Sequence, residues 1–221
     1  MVDSIIRTAR AGGAPADDER WSERHIMYLI NNYRSEMIYA NAFLHNDLIP
    51  EIDPQTVQDL GCVTLTNVDV SECEGLPYGC MVKKAANIPK FIDLPDMAAA
   101  TYVGSINKTD HYAYVPRELI EFRRSLRFAK PTDMWYMIGS NLYVVTSNID
   151  LCYINIAGVF DDPTTACSYT NDGDTCCFDV YADEYPVSRR MGEDIMQAIL
   201  HNEIAVFLNT VPDEVNDSAG I

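Results

Sequence analysis

The amino-acid sequence predicts an α+β fold, with N-terminal and C-terminal helices packed around a β-rich, antiparallel middle region. Three observations support this prediction. Apolar residues recur at helical spacing within residues 21–44 and again after residue 186. Between these stretches, residues 49–115 consist of short β-branched or apolar runs that Gly, Pro and Asp separate, and further strand patterns follow at residues 133–146 and 151–160. The runs do not alternate regularly with helical patterns, which favours α+β over a parallel α/β sheet.

The same patterns divide the 221 residues into four regions. We expect an N-terminal helical region at residues 1–48 and a β-rich region at residues 49–185, with one inserted helix at about residues 116–128. A C-terminal helix follows at residues 186–210, and residues 211–221 form an acidic tail. A hydrophobic fraction of 48% allows a chain of this length to bury a core without disulfides.

The N-terminal region contains two expected helices. The first spans residues 3–10, because Gly12 and Gly13 tolerate the left-handed turn that ends a helix. The second spans residues 21–44, where apolar residues follow one another at steps of three and four and so predict a continuous buried stripe. The stripe suits either the core or a packing face for a neighbouring subunit. Its members are Ile26, Ile30, Tyr33, Met37, Ala40 and Leu44.

The first half of the middle region contains four candidate strands and the inserted helix. The strands are expected at residues 62–66, 90–94, 101–103 and 112–115. Pro116 suits the first position of the helix. The expected buried stripe of this helix is Leu119, Phe122 and Leu126. The basic residues near its C-terminal end, where the helix dipole favours cations, are Arg123, Arg124 and Arg127.

The second half of the chain predicts a hairpin, a strand and a helix. Residues 133–146 have the pattern of a β-hairpin with its turn at residues 139–141. Residues 151–160 predict a buried strand that ends before Pro163. The last helix is expected from about residue 186 to residue 208, and its inward side chains include Met191, Ile195 and Ile199.

The seven cysteines lie at positions 62, 73, 80, 152, 167, 176 and 177. Cys73 and Cys80 could face each other across one turn, and Cys167 and Cys176 across another. Because no export signal is visible, we expect reduced thiols that are buried as small hydrophobic residues. No Cys-x-x-Cys pair occurs and the four histidines are scattered, so the sequence predicts no metal site.

The sequence contains none of the phosphate-loop, nucleophile-elbow or zinc-protease motifs. Residues 107–110 match the element with which GTPases bind guanine, but no phosphate loop precedes them and a turn is the better interpretation. Asp172 and Asp174, with Asp161 and Asp162, suit turns better than a calcium loop. We therefore predict no enzyme, no catalytic residue and no cofactor. Two alternatives stay open: a small intracellular enzyme or nucleotide-binding protein with a site built from scattered residues, and an extracellular disulfide-tied binding module.

The net charge of −17 argues against a protein that wraps DNA or binds an anionic membrane surface. No apolar run approaches the roughly 20 residues of a membrane span. Most of the excess lies in residues 161–221, which hold 13 acidic and 2 basic residues, whereas residues 101–160 hold 5 and 6. The acidic quarter suits a solvated surface, a surface that repels a polyanion, or one that meets a basic partner.

Several stretches of the chain share a pattern with one family. They are residues 10–20 (RAGGAPADDER), residues 59–69 (DLGCVTLTNVD), residues 88–95 (IPKFIDLP), residues 102–106 (YVGSI) and the Tyr185-Pro186 entry into the last helix. In these stretches the chain resembles a virion structural protein, a neck or tail ring protein, of the crAss-like phages and related short-tailed phages of Bacteroidetes.

The resemblance implies a head-to-tail connector or tail component in which twelve identical subunits form a ring around the DNA channel below the portal. It implies contacts with other copies and with neighbouring portal, ring or tail proteins, transient non-specific proximity to DNA, and no membrane contact. The protein would belong to the virion neck or tail and be assembled in the host cytoplasm. The candidates for an acidic surface that faces the channel or a partner, between which the sequence does not decide, are Asp172, Asp174, Asp179, Asp183 and Glu184.

Overall fold

The computed structural model describes residue Ile5 and residues 22–44, 52–68, 81–125, 133–169 and 185–204. The chain divides into two compact units: unit 1 combines Met1–Ile38 with Val187–Ile221, and unit 2 spans Tyr39–Pro186. Ile5 is helical and buried, and the rest of the helix predicted at residues 3–10 lies outside the described residues. The tail predicted at residues 211–221 lies outside them too. Helices at both ends flank a β-rich middle, which confirms the predicted α+β class.

Unit 1 contains most of a long N-terminal helix and the C-terminal helix. Helix α1 spans Glu23–Leu44, and the Ser22 hydroxyl at its start accepts a hydrogen bond from the His25 N–H at 3.2 Å. The C-terminal helix, numbered α4 below, spans Arg189–Ala198 and continues directly into a π-helical segment, Ile199–Ile204. Its buried side chains include Met191, Ile195 and Ile199, as the apolar spacing predicts.

The buried row of α1 differs from the predicted stripe. Ile26 and Ile30 are buried as expected, but Ala40 is exposed, and Tyr33 and Met37 are half-buried. The inward row continues at four-residue steps along one ridge of the helix, through Arg34, Ile38 and Ala42. The prediction placed the stripe one residue away because it excluded Arg34, whose long side chain is fully buried.

Unit 2 contains two β-sheets and two short helices. Sheet A has the strand order β1-β8-β4, and sheet B has the order β2-β3-β7-β6-β5. The helices are α2 (Ile120–Ser125) and α3 (Pro163–Tyr169). The strands are β1 (Gln58–Thr64), β2 (Thr66–Asn67), β3 (Met81–Ala85), β4 (Tyr102–Gly104), β5 (Ala113–Tyr114), β6 (Met134–Ile138), β7 (Asn141–Thr146) and β8 (Tyr153–Gly158).

The two sheets join at both sides, so that their strands close into a barrel. On one side β1 runs into β2: the Leu65 N–H bonds to Cys152 in sheet A, whereas the Val68 N–H bonds to Val82 in sheet B. On the other side, the Tyr112 N–H bonds to Val103 of β4 just before the chain joins β6 as strand β5. The pairing therefore returns to its starting strand, an arrangement that protects sheet edges from association with other strands.

The predicted hairpin at residues 133–146 is confirmed as β6 and β7, but its turn has two residues, Gly139 and Ser140, and not the predicted three, because Asn141 already pairs with Ile138. The predicted strand at residues 151–160 is confirmed as β8. Two other details of the strands differ from the prediction. Strand β5 pairs in parallel with β6, so the region is not wholly antiparallel. The strand expected at residues 90–94 is reduced to one bridge, between Phe91 and Phe160.

Pro163 begins a helix that was not predicted. It occupies the first position of α3, where its missing N–H is not needed. The Asp162 carboxylate just before it accepts a hydrogen bond from the Thr164 N–H at 2.9 Å and so caps the helix. The Asp-Pro pair that was expected only to stop a strand therefore starts α3.

The buried stripe predicted for the inserted helix is wrong. The segment begins as a 3₁₀ turn, Arg117–Leu119, and only then becomes α2. Because a 3₁₀ turn has three residues per turn rather than 3.6, the side that faces the sheet changes. Ile120 is buried, whereas Leu119 and Phe122 are 51% and 63% exposed; Leu126 lies outside the described residues.

Candidate assembly surfaces

The five acidic residues predicted to face a channel or a partner are outside the part of the chain that the structure describes. They are Asp172, Asp174, Asp179, Asp183 and Glu184. Four other surface features are described: an ionic cluster on sheet A, a loop held by a buried lysine, the exposed side of α2, and a groove along α4.

The ionic cluster lies on one face of sheet A, which we call the open face; its residues include Asp59, Cys62, Tyr153 and Asn155. Gly61, at φ +65°, forms a β-bulge that brings its own N–H within 2.8 Å of the Asp59 carboxylate. The Asn155 amide donates to the same oxygen at 3.0 Å, and the Lys108 ammonium lies 2.6 Å from the other.

These contacts change the acidity of both charged groups. Partial burial opposes ionisation of Asp59, but the hydrogen bonds from Lys108, Gly61 and Asn155 outweigh it and lower the pKa of the carboxyl below 3.8. The hydrogen bond to Asp59 and the attraction of its charge raise the pKa of Lys108 above 10.5. The open face therefore has a fixed ion pair in a solvent-accessible position.

The guanine-like motif at residues 107–110 forms the turn that presents Lys108. Lys108 adopts φ +58°, and the Asn107 carboxamide oxygen accepts from the Thr109 hydroxyl at 2.8 Å. The Asp110 N–H donates to the Ser105 hydroxyl at 2.9 Å. These hydrogen bonds lie within the turn and support the interpretation of the motif as a turn.

A buried lysine holds the loop between β7 and β8. Lys83 is only 3% exposed, and its ammonium donates to the carbonyl oxygens of Ile149, at 2.6 Å, and of Leu151. Within the loop, the Asn148 carboxamide accepts from the Asp150 N–H at 3.0 Å. The loop is therefore held by hydrogen bonds, yet it exposes 71% of Ile149 to solvent.

The exposed side of α2 combines apolar and basic groups. Ile120 packs into a cluster on one face of sheet B, which we call the covered face; its residues include Val82, Met134, Tyr136, Tyr143 and Val145. In the same segment Leu119 and Phe122 are exposed, and so are Arg117 and Arg123.

Helix α4 borders a groove of about 660 Å³. The described residues that line it are Asp194, Gln197, Ala198, Leu200 and His201, so it extends from the last turns of α4 into the π-helical segment. π-helical turns are rare and are frequently found at functional sites.

A tyrosine of α1 fixes the π-helical segment. The Tyr33 hydroxyl donates to the Glu203 carboxylate at 3.1 Å and accepts from the Asn202 amide at 3.4 Å. Burial raises the pKa of Tyr33, and the adjacent Glu203 charge adds to this effect although the Asn202 hydrogen bond opposes it. Unit 1 thus holds its C-terminal segment by a polar contact as well as by its apolar core.

Comparison with known families identifies the protein class. The chain matches the family described as phage tail ring protein 2 over residues 1–219, nearly its whole length. The chain belongs to this family of crAss-like phage ring proteins. No curated protein matches the chain. The family match confirms the resemblance seen in the sequence.

Membership of the tail ring family bears on the kind of role that the protein has. A phage tail ring protein is a structural component of the virion, which points to a non-enzymatic role. Among the described residues, no group of three His, Cys, Asp or Glu side chains is placed to hold a metal ion. None of the described helices is long and apolar enough to cross a membrane.

One sequence expectation about individual residues of this ring protein is wrong, and one buried residue was missed. Cys62 and Cys152 were expected to be buried but are exposed, because Cys62 lies on the open face and Cys152 in the connection that enters β8. Lys83 was not singled out, although it is among the most buried charged residues described. A signal was present: in the run Met81-Val-Lys-Lys-Ala85, strand alternation places Lys83 and Lys84 on opposite faces, so one of them must face inward.

Proposed function

We propose that this phage tail ring protein forms a homo-oligomeric ring of twelve subunits around the DNA channel below the portal, as a head-to-tail connector or tail component. The observation that carries the proposal is the family match over residues 1–219. The subunits would assemble in the host cytoplasm, and neighbouring portal, ring or tail proteins of the virion would bind the two ends of the ring.

The described surfaces support a ring in a specific way. Every interface in a closed ring of more than two identical subunits is heterologous, so one subunit must present two different sides to its neighbours. Because the strands of unit 2 close into a barrel, copies are expected to meet through side chains rather than by strand addition. The exposed apolar groups on α2 and at Ile149 are suited to such contacts.

The strongly acidic residues 161–221 are suited to a surface along which DNA passes. We propose that the predicted acidic surface lines the channel, where 13 acidic and 2 basic residues between positions 161 and 221 would repel the DNA phosphates. The residues proposed to do this are Asp172, Asp174, Asp179, Asp183 and Glu184. If they instead dock a basic neighbour, their reversal should impair docking and leave DNA binding unchanged.

Oligomeric state is the direct test of the ring. The purified full chain should have a mass that is a multiple of 24.8 kDa, twelvefold if the stoichiometry is right, and should form annular particles in negative-stain electron microscopy. A protein that is monomeric at every concentration and absent from purified virions would overturn the proposal.

The channel surface has a separate test. Lysine at all five acidic positions should leave the ring intact and allow it to bind short duplex DNA, with an affinity that falls steeply as salt rises. The measurement is fluorescence anisotropy of labelled DNA, with the wild-type ring as the control that should not bind. Intact variant rings that also fail to bind DNA would place these residues away from the channel.

A further inference from the structure

The loop that follows β4 lies over the open face of sheet A. We propose that this loop, residues 105–110 and called the strap below, opens and closes over Asn155 of β8, and that the ion pair between Lys108 and Asp59 is the latch that keeps it closed. The inference concerns a single subunit, so it does not depend on the proposed ring.

The base of the strap is held tightly on β4. The Ser105 N–H donates to the Asp110 carbonyl oxygen at 3.0 Å, and the Tyr102 hydroxyl donates to the same oxygen at 3.0 Å. A Cβ atom at Gly104 would overlap this oxygen, so the absence of a side chain there allows the loop to lie directly on the strand. Movement of the strap is therefore expected at its far end, which has Lys108.

The far end of the strap is joined to the opposite side of sheet A. Strand β8 lies between β1 and β4, so the contact from the strap to Asp59 of β1 bridges two strand spacings, about 10 Å. The Lys108 ammonium lies 2.6 Å from the Asp59 carboxylate. This ion pair therefore closes the strap across the middle strand.

Asn155 is buried where the strap crosses β8. It pairs with Cys62 on one side and with Gly104 on the other, and it is only 5% exposed although Cys62 on the same face is exposed. Its amide donates to Asp59 within the sheet. Among the residues that the structure describes, none donates a hydrogen bond to its buried carboxamide oxygen. The closed strap therefore separates this oxygen from water without replacing the hydrogen bond.

These contacts predict a small free energy of opening. A buried oxygen without a donor destabilises the closed state, because opening would return the oxygen to water. The latch opposes opening, but its side chains are 54% exposed at Lys108 and 41% exposed at Asp59. An ion pair with this exposure contributes little net stability and is screened by salt. We therefore expect a minor open state whose population rises with salt.

Opening would present three polar groups at the same place. They are the Lys108 ammonium, the Asp59 carboxylate and the Asn155 carboxamide. A partner that binds any of them in the open state alone would shift the strap towards that state. The strap would thus make this part of the open face available only under some conditions.

Trypsin measures the opening directly. It cleaves after Lys108 only when this side chain leaves Asp59 and enters the protease, so the cleavage rate of the folded protein follows the open population. For the full-length wild type we expect slow cleavage that becomes faster as salt rises. Mass spectrometry quantifies the peptides, and a short peptide substrate corrects for the effect of salt on trypsin itself.

Asp59→Asn tests the latch, because it removes the negative charge and keeps the size of the side chain. Cleavage after Lys108 should become about two- to fivefold faster, as expected for loss of an exposed ion pair, and should lose most of its salt dependence. Asp161→Asn is the matched control, since it removes a carboxylate that pairs with Lys90 elsewhere in unit 2, and the rate after Lys108 should not change. An unchanged rate in Asp59→Asn would overturn the inference.

Asn155→Val tests the buried oxygen. The substitution removes the atom that opening would hydrate, whereas the lost amide bond to Asp59 lies within the sheet and does not involve the strap. Cleavage after Lys108 should therefore become about fivefold slower or more. A rate equal to or faster than that of the wild type would show that hydration of Asn155 does not favour opening.

Low concentrations of urea separate opening of the strap from unfolding of the whole chain. Opening of a six-residue loop exposes little surface, so the cleavage rate should hardly depend on urea, whereas global unfolding depends on it steeply. If cleavage after Lys108 rises in parallel with global unfolding, the strap does not open by itself. Resistance of both the wild type and Asp59→Asn to cleavage while they are folded would equally contradict the inference.

Discussion

The covered face of sheet B and the open face of sheet A belong to the same barrel but are stabilised differently. On the covered face, Tyr136 and Tyr143 stack with ring centroids 5.1 Å apart, and Ile120 packs into the same cluster. On the open face, Asp59 and Lys108 form a solvent-accessible ion pair, and the same face carries the exposed Tyr153. The covered face is part of the core, whereas the open face carries side chains that are exposed to solvent.

The two faces also differ in the side chains that they leave exposed to solvent. The apolar residues of the covered face are packed in the core, and Leu119 and Phe122 of the segment that packs on it are exposed. In sheet A, by contrast, side chains of the strands themselves are exposed, as at Cys62 and Tyr153. A single barrel therefore has two chemically distinct sides.

The largest expected effect is that of replacing a tyrosine of the covered face with alanine, and the same substitution on the open face is its comparison. Tyr136→Ala, at a position 2% exposed, should lower the free energy of unfolding by about 3–5 kcal/mol, because it removes a ring from the packed cluster and leaves a cavity. Tyr153→Ala, at a position 48% exposed on the open face, should have a much smaller effect. Urea unfolding followed by circular dichroism measures both, and equal losses would contradict the contrast between the faces.

The contrast between faces was partly visible in the sequence. The hairpin of β6 and β7 was predictable because a continuous apolar run sits on each side of Gly139-Ser-Asn141, and Gly139 adopts the positive φ that such a turn requires. The buried residues of α4 followed directly from helical periodicity, because that helix has a single apolar row.

The exposed side of α2 was not predictable from helical periodicity. Leu119 and Phe122 are spaced as a buried stripe would be, yet the segment begins with a 3₁₀ turn and Ile120 is the residue that is buried. Barrel closure was equally hidden, since it depends partly on strands that pair across a long sequence separation, as Val103 does with Ile156. The acidic candidates at positions 172–184 stay a prediction.

A smaller effect is expected from Lys83 of sheet B, whose side chain holds the loop between β7 and β8. Lys83→Met keeps the length of the side chain but leaves the carbonyls of Ile149 and Leu151 without this donor. We expect a loss of about 1–3 kcal/mol in unfolding free energy and faster hydrogen exchange at residues 148–152. Lys84→Met, on the next residue, is the matched control. Unchanged exchange in the loop would show that Lys83 does not hold it.

The smallest expected effect comes from the ion pair on the open face. Because the pKa of Asp59 is lowered in the folded state, its ionised form stabilises the fold; this contribution is complete above pH 3.8 and is lost as the pH falls through the folded-state pKa. Asp59→Asn should therefore lower the melting temperature slightly at neutral pH and converge with the wild type in acid.

The matching change at Lys108 separates the ion pair from the other hydrogen bonds of Asp59. Lys108→Met should reproduce only the salt-sensitive part of the Asp59→Asn effect, because Gly61 and Asn155 still donate to the carboxylate. The raised pKa of Lys108 means that its contribution is complete below pH 10.5 and is lost as the pH rises through the higher folded-state value. Melting curves in low and high salt measure this. If Lys108→Met and Asp59→Asn have identical effects at every salt concentration, the backbone and amide donors contribute nothing, and the open face depends on the exposed ion pair alone.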